Sequence, residues 1–421
     1  MKAFALILSL YFICSGLSAQ DRCHYHAANG FDTAIGLNFL RHFEEELDQF
    51  LIQAPTLRTQ YPTYQIPVVV HVIHNGEAIG EGANIAREQI ESQIAVLNED
   101  FGQGISSQVP IRDDFLPLAA SAHIKFVLAP TDPQGVPLEE AGVHRYDGRQ
   151  ATWTRDKINE ILKPATIFDP YRYLNIWTLA FDNPNYIGEA QWPQIGLIGL
   201  SDERPEKTDG VMIGYQYFGS RDKYPEGNYA DSSFDLGRSA THEVGHWLGL
   251  RHTFENCDRG DYVADTPPQR GASRGCPDDQ KHSCGTLDMW ENFMDYTDDA
   301  CMRWFTHGQV ARMRAVLEMD SMRNSVIRKG EITLSSPENL INLYPNPTDG
   351  ILYLDLTLTP EPEYVHLTLF DPTGKKIWRA RPDRDGVTEI DFTSYEKGIY
   401  LLRYQRDSDG FTFCKKIMVR E

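Results

Sequence analysis

The sequence predicts an α/β domain with a mixed, twisted sheet, followed by a small all-β sandwich. Segment 66–73 is apolar and β-branched, which is typical of a buried strand. Segment 85–101 has helical periodicity, and further strand-like runs lie at 123–128, 173–179 and 210–218. Helices and strands therefore alternate, as in a mixed sheet covered by helices. Beyond residue 340, short alternating runs separated by turn sequences are typical of a sandwich.

The chain divides into five predicted segments. Residues 1–19 begin with Lys2, continue as a short apolar run and end at Ala19, as a cleaved secretory signal peptide does. That run is too short to cross a membrane, and no other stretch predicts a transmembrane anchor. The remaining predicted segments are a polar stretch with a helix (20–58), the α/β domain (59–325), a polar linker (326–339) and the β-sandwich (340–421).

Length and charge limit the function classes. The chain has 421 residues and a net charge of −20. The length exceeds one ordinary core and agrees with two domains. The acidic balance disfavours nucleic acid and anionic lipid as partners. It is compatible with calcium sites or cationic substrates, and equally with a surface that is only well solvated.

Segment 241–252 carries a metal-site pattern, Thr-His-Glu-Val-Gly-His-Trp-Leu-Gly-Leu-Arg-His. His242 and His246 are four residues apart, so on a helix they share a face and can bind one ion. Glu243 lies about 100° around the helix, where it can act as a general base on a water molecule. Gly249 lets the chain leave the helix, so that His252 can return as a third ligand. Three histidines with an open position are typical of catalytic zinc, whereas the alternative is a solvated helix face.

This stretch resembles the zinc signature of the metzincin metallopeptidases, and a second motif agrees with the resemblance. Metzincins carry a methionine turn beneath the metal, and segment 292–296, Asn-Phe-Met-Asp-Tyr, follows downstream. The resemblance implies that Met294 supports the metal site, although the residue alone could be ordinary core. It also implies that Tyr296 ligates zinc or hydrogen-bonds the tetrahedral intermediate.

Within the metzincins, the chain resembles the pappalysin family, in the branch that contains ulilysin and mirolysin. The resemblance runs from about Ile66 to Arg314 and includes segments 246–254, 260–267 and 294–302. Four of the seven cysteines lie between residues 257 and 301, and the sequence alone allows three pairings of them. The resemblance implies the two disulfides Cys257–Cys284 and Cys276–Cys301.

The resemblance also implies a structural calcium ion after the zinc motif. Its candidate ligands are Asp261, the Val263 carbonyl, Asp265 and Thr266. Oxygen ligands on a turning loop suit a hard cation, whereas the alternative is an Asp-rich turn that caps itself.

Cys23 lies early in segment 20–58, which the resemblance identifies as a pro-segment. A thiolate can occupy the open position of a zinc site, so the resemblance implies a latent zymogen held by a cysteine switch. His24 stands where such switches often have glycine. The alternative is an unpaired or dimerising cysteine.

The same branch of the family cuts before Lys and Arg, which implies an acidic specificity pocket here. Asp298 and Asp299 follow the methionine turn and are the candidates, although Ala300 could occupy the position that matters. The strand predicted over 210–218 is expected to be the sheet edge on which an extended substrate lies.

The C-terminal segment resembles the sorting domain of type IX secretion in Bacteroidetes. Segment 343–350, Leu-Tyr-Pro-Asn-Pro-Thr-Asp-Gly, and the basic ending at 415–419 carry the likeness. The resemblance implies recognition by the export machinery and a protein that is secreted or attached to the outer surface. The alternative is a binding or adhesion module.

The expected function is therefore that of a secreted zinc endopeptidase acting on protein or peptide substrates, with Glu243 as general base. Two rivals remain from the sequence: a surface adhesin with a structural zinc, and a zinc hydrolase with a non-peptide substrate. An intact Glu243 and an open metal position argue against the first, and nothing in the sequence favours the second.

Overall fold

The structure is a computed structural model and describes residue 23 and the ranges 34–53, 63–102, 111–194, 205–230, 233–277, 280–334, 342–344, 346–355, 365–381, 387–406 and 412–420. The chain separates into two compact units, Met1–Ile327 and Arg328–Glu421. The predicted signal peptide lies outside the described residues, as does the pro-segment apart from Cys23 and one helix. No helix of the described ranges is long and apolar enough to span a membrane.

The first unit is built on a six-stranded mixed sheet. The strands of this unit are β1 (Tyr64–His74), β2 (Ala119–Ala120), β3 (Ile124–Leu128), β4 (Val143–Asp147), β5 (Leu174–Leu179), β6 (Gly188–Ala190), β7 (Val211–Gly214), β8 (His282–Ser283), β9 (Thr286–Leu287) and β10 (Phe305–Thr306). Parallel pairs join β1 to β3, β4 and β5, and β5 to β7. Strand β1 is buried along nearly its whole length, as its unbroken apolar sequence predicts.

The prediction that segment 210–218 is an edge of the sheet is wrong. Strand β7 lies between β5 and β6, so segment 210–218 is not an edge. The edge is β6, which pairs antiparallel to β7. A strand of three residues is too short to show an alternating pattern, so β6 could not be predicted from the sequence.

Helices cover the sheet and close the unit. They are α1 (Ala34–Gln53), α2 (Arg87–Gly102), α3 (Arg155–Lys157), α4 (Lys163–Thr166), α5 (Pro205–Thr208), α6 (Arg238–Trp247), α7 (His307–Met319) and α8 (Ser321–Leu334), with a π-helical turn between α3 and α4 at Ile158–Leu162. The predicted linker 326–339 is helical up to Leu334, because α8 begins inside the core with buried Met322, Val326 and Ile327. The core of the unit contains the apolar faces of α2, α6 and α7.

The second unit is strand-rich, as predicted. Its strands are β11 (Asn342–Tyr344), β12 (Ile351–Asp355), β13 (Val365–Phe370), β14 (Lys376–Ala380), β15 (Val387–Asp391), β16 (Gly398–Arg406) and β17 (Thr412–Val419). They form one sheet in the order β11-β12-β15 and another in the order β14-β13-β16-β17, with all pairs antiparallel. Apolar side chains from both sheets share one core, which includes Leu352, Leu367, Ile390 and Leu402.

Candidate active site

Helix α6 carries two of the three predicted metal ligands. His242 and His246 lie one turn apart on the buried face of the helix, and their Nε2 atoms are 3.1 Å apart. The helix ends at Trp247. The chain then turns through Gly249, whose φ of +83° favours glycine. This turn brings His252 back, with its Nε2 atom 3.1 Å from that of His246.

Hydrogen bonds on the far side of two rings fix their tautomers. The Nδ1 atom of His242 lies 2.7 Å from the carbonyl oxygen of Phe293, and that of His246 lies 2.7 Å from the carbonyl oxygen of Leu250. A carbonyl only accepts, so each Nδ1 carries the proton and each Nε2 presents a lone pair. These lone pairs and the His252 Nε2 atom converge within 3.1 Å of the His246 Nε2 atom, so the three nitrogens can bind one cation. The donor set therefore fits zinc.

The methionine turn lies directly beneath α6. Met294 is completely buried, and a Cβ atom at Gly245 would lie 2.5 Å from its Sδ atom. The turn is held by Asn292, whose side-chain oxygen accepts a hydrogen bond from the Met294 amide at 3.0 Å. The contact explains a glycine inside the motif helix, which the sequence analysis did not account for.

Cys23 lies at the centre of this site. Its Sγ atom and one nitrogen from each of His242, His246 and His252 all lie within 4.8 Å of one another. The thiol also donates a hydrogen bond to the carboxylate of Glu243 at 3.5 Å. Both side chains are buried, and Cys23 belongs to neither disulfide. The thiol therefore occupies the space between the histidines and Glu243.

Two backbone contacts hold the Cys23 segment in place. Cys23 pairs with Gly188 of β6 in a parallel bridge, so it lies along the free edge of the sheet. The hydroxyl of Tyr296 donates a hydrogen bond to the Cys23 carbonyl oxygen at 2.9 Å. The ring of Tyr296 packs 4.9 Å from that of His252. Tyr296 thus lies beside the metal-site histidines and contacts Cys23.

A buried carboxylate on β6, that of Glu189, was missed by the sequence analysis. Glu189 forms an ion pair with Arg155 at 2.6 Å and accepts a hydrogen bond from the Tyr186 hydroxyl. Burial raises the pKa of Tyr186 well above its ordinary value, with Glu189 and Glu243 adding to the effect. Tyr186 is therefore a neutral donor close to the Glu243 carboxylate. No local motif connects these residues, so only the fold brings them together.

The predicted calcium loop brings three of its four candidates together. The Thr266 hydroxyl contacts the Asp261 carboxylate and lies 2.8 Å from the Val263 carbonyl oxygen. The Oδ2 atom of Asp261 is buried and receives no hydrogen bond among the residues that the structure describes. Burial raises the pKa of Asp261 to about 7. An oxygen in this state suits a bound cation.

The Asp265 carboxylate has hydrogen-bond partners outside that oxygen cluster. It accepts hydrogen bonds from the Thr306 hydroxyl at 2.7 Å and from the Gly308 amide at 2.8 Å. Both donors lie at the N-terminus of α7, where a carboxylate is favoured by the amides and the helix dipole. The side chain of Asp265 thus caps a helix.

The two specificity candidates differ in their surroundings. Asp299 is buried, and its carboxylate accepts hydrogen bonds from the amides of Leu236 and Arg238 at 3.1 and 3.0 Å. It therefore holds the start of α6 instead of lining an open pocket. Asp298 is partly exposed.

Two disulfides secure the loop after the zinc motif. They join Cys257 to Cys284 and Cys276 to Cys301, which is the pairing that the resemblance implies. The second disulfide ends next to Asp299 and so ties the loop to the start of α6.

Comparison with known proteins agrees with this geometry. Residues 156–318 match the family described as pregnancy-associated plasma protein-A, and residues 342–420 match the secretion system C-terminal sorting domain. An extracellular metalloprotease from Verticillium alfalfae is 33% identical over 261 residues, which are 61% of this chain and 77% of that protein.

Two solved structures are also similar. Mature mirolysin from Tannerella forsythia, in complex with a cleaved peptide, is 38% identical with a TM-score of 0.56, and the match covers 65% of this chain and 99% of that one. A mutant of promirolysin from the same organism is 34% identical with a TM-score of 0.59, and covers 74% of this chain and 98% of that one. The sorting domain and the extracellular relatives indicate a protein that is secreted or attached to the cell surface. The chain belongs to the pappalysin family of zinc metalloendopeptidases.

Proposed function

We propose that this chain is a latent zymogen whose zinc is held by His242, His246 and His252 and whose general base is Glu243. The observation that carries the proposal is the position of the Cys23 thiol between the three imidazoles and the Glu243 carboxylate. A thiolate in that position takes the place that water and substrate need. The pro-segment would then keep the endopeptidase inactive until it is removed.

In the proposed reaction, this chain's residues move the protons. Zinc, when bound, supplies Lewis acidity that polarises the scissile carbonyl. Glu243 takes a proton from the attacking water and delivers it to the leaving amine. Once Cys23 has left, the Tyr296 hydroxyl loses its carbonyl acceptor and can donate to the developing oxyanion instead. Tyr186 and Glu189 hold the neighbouring part of β6.

Substrate binding is proposed along β6. Cys23 occupies this edge through its bridge to Gly188. An extended substrate can form main-chain hydrogen bonds with the same edge after the pro-segment has gone.

We further propose that cleavage occurs before Arg and Lys, with Asp298 pairing with the substrate cation. Autolysis near Leu57-Arg58-Thr59, outside the described residues, would then release the pro-segment.

Two further parts of the proposal concern stability and export. A calcium ion is proposed at Asp261, Val263 and Thr266, supported by the buried Asp261 oxygen that receives no hydrogen bond within the described ranges. The type IX secretion machinery is the proposed partner of the C-terminal unit, supported by its match to a secretion sorting domain.

The central test is Glu243→Ala in the matured enzyme. The three histidines remain, so bound zinc measured by atomic absorption should stay at one equivalent, while casein cleavage should fall by about 10²–10⁴-fold. A zinc chelator should abolish wild-type cleavage. Residual activity of the variant above about a tenth would contradict the assignment of the base.

A further inference from the structure

The pro-segment makes a second set of buried contacts through helix α1, away from the metal ligands. Helix α1 buries Leu40, Phe43 and Leu47 against the rest of the first unit, and the ring of Phe43 packs 5.2 Å from that of Trp192. The residue after Phe43 is Glu44, a carboxylate that is only 4% exposed. A charge is this deeply buried only when it is paired.

Two arginines bind the Glu44 carboxylate. Arg312 donates to it through both Nη atoms at 2.6 and 2.8 Å, and Arg251 donates through Nε at 2.9 Å. Both guanidinium groups are almost completely buried. A bidentate fork with a third charged donor is among the strongest carboxylate contacts that proteins make.

The arginine pair is oriented by the part of the first unit that lies outside the pro-segment, which we call the catalytic unit. The Nε atom of Arg312 donates to the Gly249 carbonyl oxygen at 2.6 Å, which leaves its two Nη atoms pointing at the carboxylate. The guanidinium of Arg251 lies over the ring of Tyr262, 4.5 Å from its centre. Neither contact involves the pro-segment, so both remain when α1 leaves.

The groove around this pair is only partly filled by α1. A cavity of about 530 Å³ lies beside it, lined by Asp48 and Leu51 of α1 and by Tyr262, His307 and Arg312 of the catalytic unit. The tight contacts of α1 are thus concentrated on its apolar face and on Glu44.

We propose that Arg251 and Arg312 form a carboxylate-binding site of the mature enzyme, and that the released α1 helix binds there in trans through Glu44. The proposal rests on the proposed removal of the pro-segment, but it does not depend on Cys23, which the helix lacks. Glu44 supplies the carboxylate that Arg312 binds with both Nη atoms, whereas Arg251 also lies 4.0 Å from Glu255, which stays with the enzyme. The apolar face of α1 supplies the contact area. The released helix is therefore a ligand of the enzyme that produced it.

The test uses synthetic peptides of residues 34–53, so that every substitution lies in the ligand and the enzyme remains unchanged. The receptor is the matured Glu243→Ala enzyme, which does not degrade the peptide and makes the binding measurement independent of catalysis. Maturation is carried out by adding trypsin, and the released pro-segment is removed before titration. Binding is followed by fluorescence anisotropy.

The wild-type peptide should bind, and the Glu44→Gln peptide should bind at least tenfold more weakly, because glutamine keeps the shape but lacks the charge. The matched control is Glu45→Gln, since Glu45 is exposed on the same helix. It should bind within about twofold of wild type, as is usual for an exposed charge. Equal affinities of the Glu44→Gln and Glu45→Gln peptides would overturn the proposal, as would a wild-type peptide that does not bind at millimolar concentration.

Discussion

The Sδ atom of Met294 lies where a side chain at Gly245 would begin, 2.5 Å from the position of a Cβ atom. The metal-site helix therefore rests on this sulfur without an intervening side chain. Phe293, the neighbour of Met294, holds the His242 ring through its carbonyl oxygen. One turn thus sets both the height of the helix and the orientation of an imidazole, because the two contacts come from adjacent residues.

Gly245→Ala should therefore destabilise the protein and disturb the metal site. Met294 is completely buried and cannot withdraw without displacing the core. We expect a loss of about 1–3 kcal/mol, measured by thermal or denaturant unfolding, and weaker zinc binding. The control is Gly271→Ala, where an added Cβ atom meets nothing within 4 Å. If both variants unfold alike, the contact with Met294 is unimportant.

Much of the fold and the position of the metal motif could be predicted from local patterns. The unbroken apolar run of β1 and the four-residue spacing of His242 and His246 are each contained in one element. Such signals depend only on the period of the strand or the helix, so a single sequence reveals them. The α/β class and the zinc endopeptidase class were confirmed for this reason.

Features that depend on distant contacts could not be predicted in this way. Asp299 caps a helix whose first amide is 61 residues away in sequence, and nothing local distinguishes it from Asp298. The edge strand β6 is too short to show a pattern, whereas its longer neighbour β7 has one although it lies inside the sheet. The hydrogen bonds of Glu44 with Arg251 and Arg312 join residues more than two hundred positions apart.

The Cys23→Ser substitution should shorten the time for which the precursor stays inactive. A serine hydroxyl is a poor zinc ligand at neutral pH compared with a thiolate, so the cleft opens to water more readily. The precursor should mature earlier than wild type, as followed by gel electrophoresis over time, and should cleave a small peptide before maturation is complete. The Glu45→Gln precursor serves as a control on the same segment. Equal latency of the Cys23→Ser and wild-type precursors would refute the cysteine switch.

Calcium should stabilise the protein through Asp261, and the effect should depend on pH. Burial raises the pKa of this carboxyl to about 7 from its ordinary 3.8. In the absence of a cation, the folded state therefore holds a proton that the unfolded state has released, and stability falls as pH rises from about 4 to about 7. Calcium competes with that proton, so its binding strengthens over the upper part of this range.

The melting temperature should accordingly rise with added calcium more at pH 8 than at pH 5.5. Asp261→Asn should remove most of this rise, because the amide cannot supply the charge. Asp258→Asn, at an exposed aspartate of the same loop, should leave the rise intact. A melting temperature that does not respond to calcium at pH 8 would rule out the site.

Substitution of Asp298 should change the substrate specificity, whereas substitution of Asp299 should change the stability of the protein. Asp298 is the partly exposed member of the pair, so Asp298→Ala should lower kcat/KM for peptides with Arg after the scissile bond, relative to Leu peptides, by about tenfold or more. Asp299 accepts from two backbone amides at the start of α6, so Asp299→Ala should lower stability by about 0.5–2 kcal/mol and leave the Arg-to-Leu ratio unchanged. Mass spectrometry of peptide-library products measures the preference, and thermal unfolding measures the stability. A wild-type enzyme that prefers apolar residues there, or an Asp298→Ala variant with an unaltered ratio, would remove the basis for an acidic pocket at Asp298.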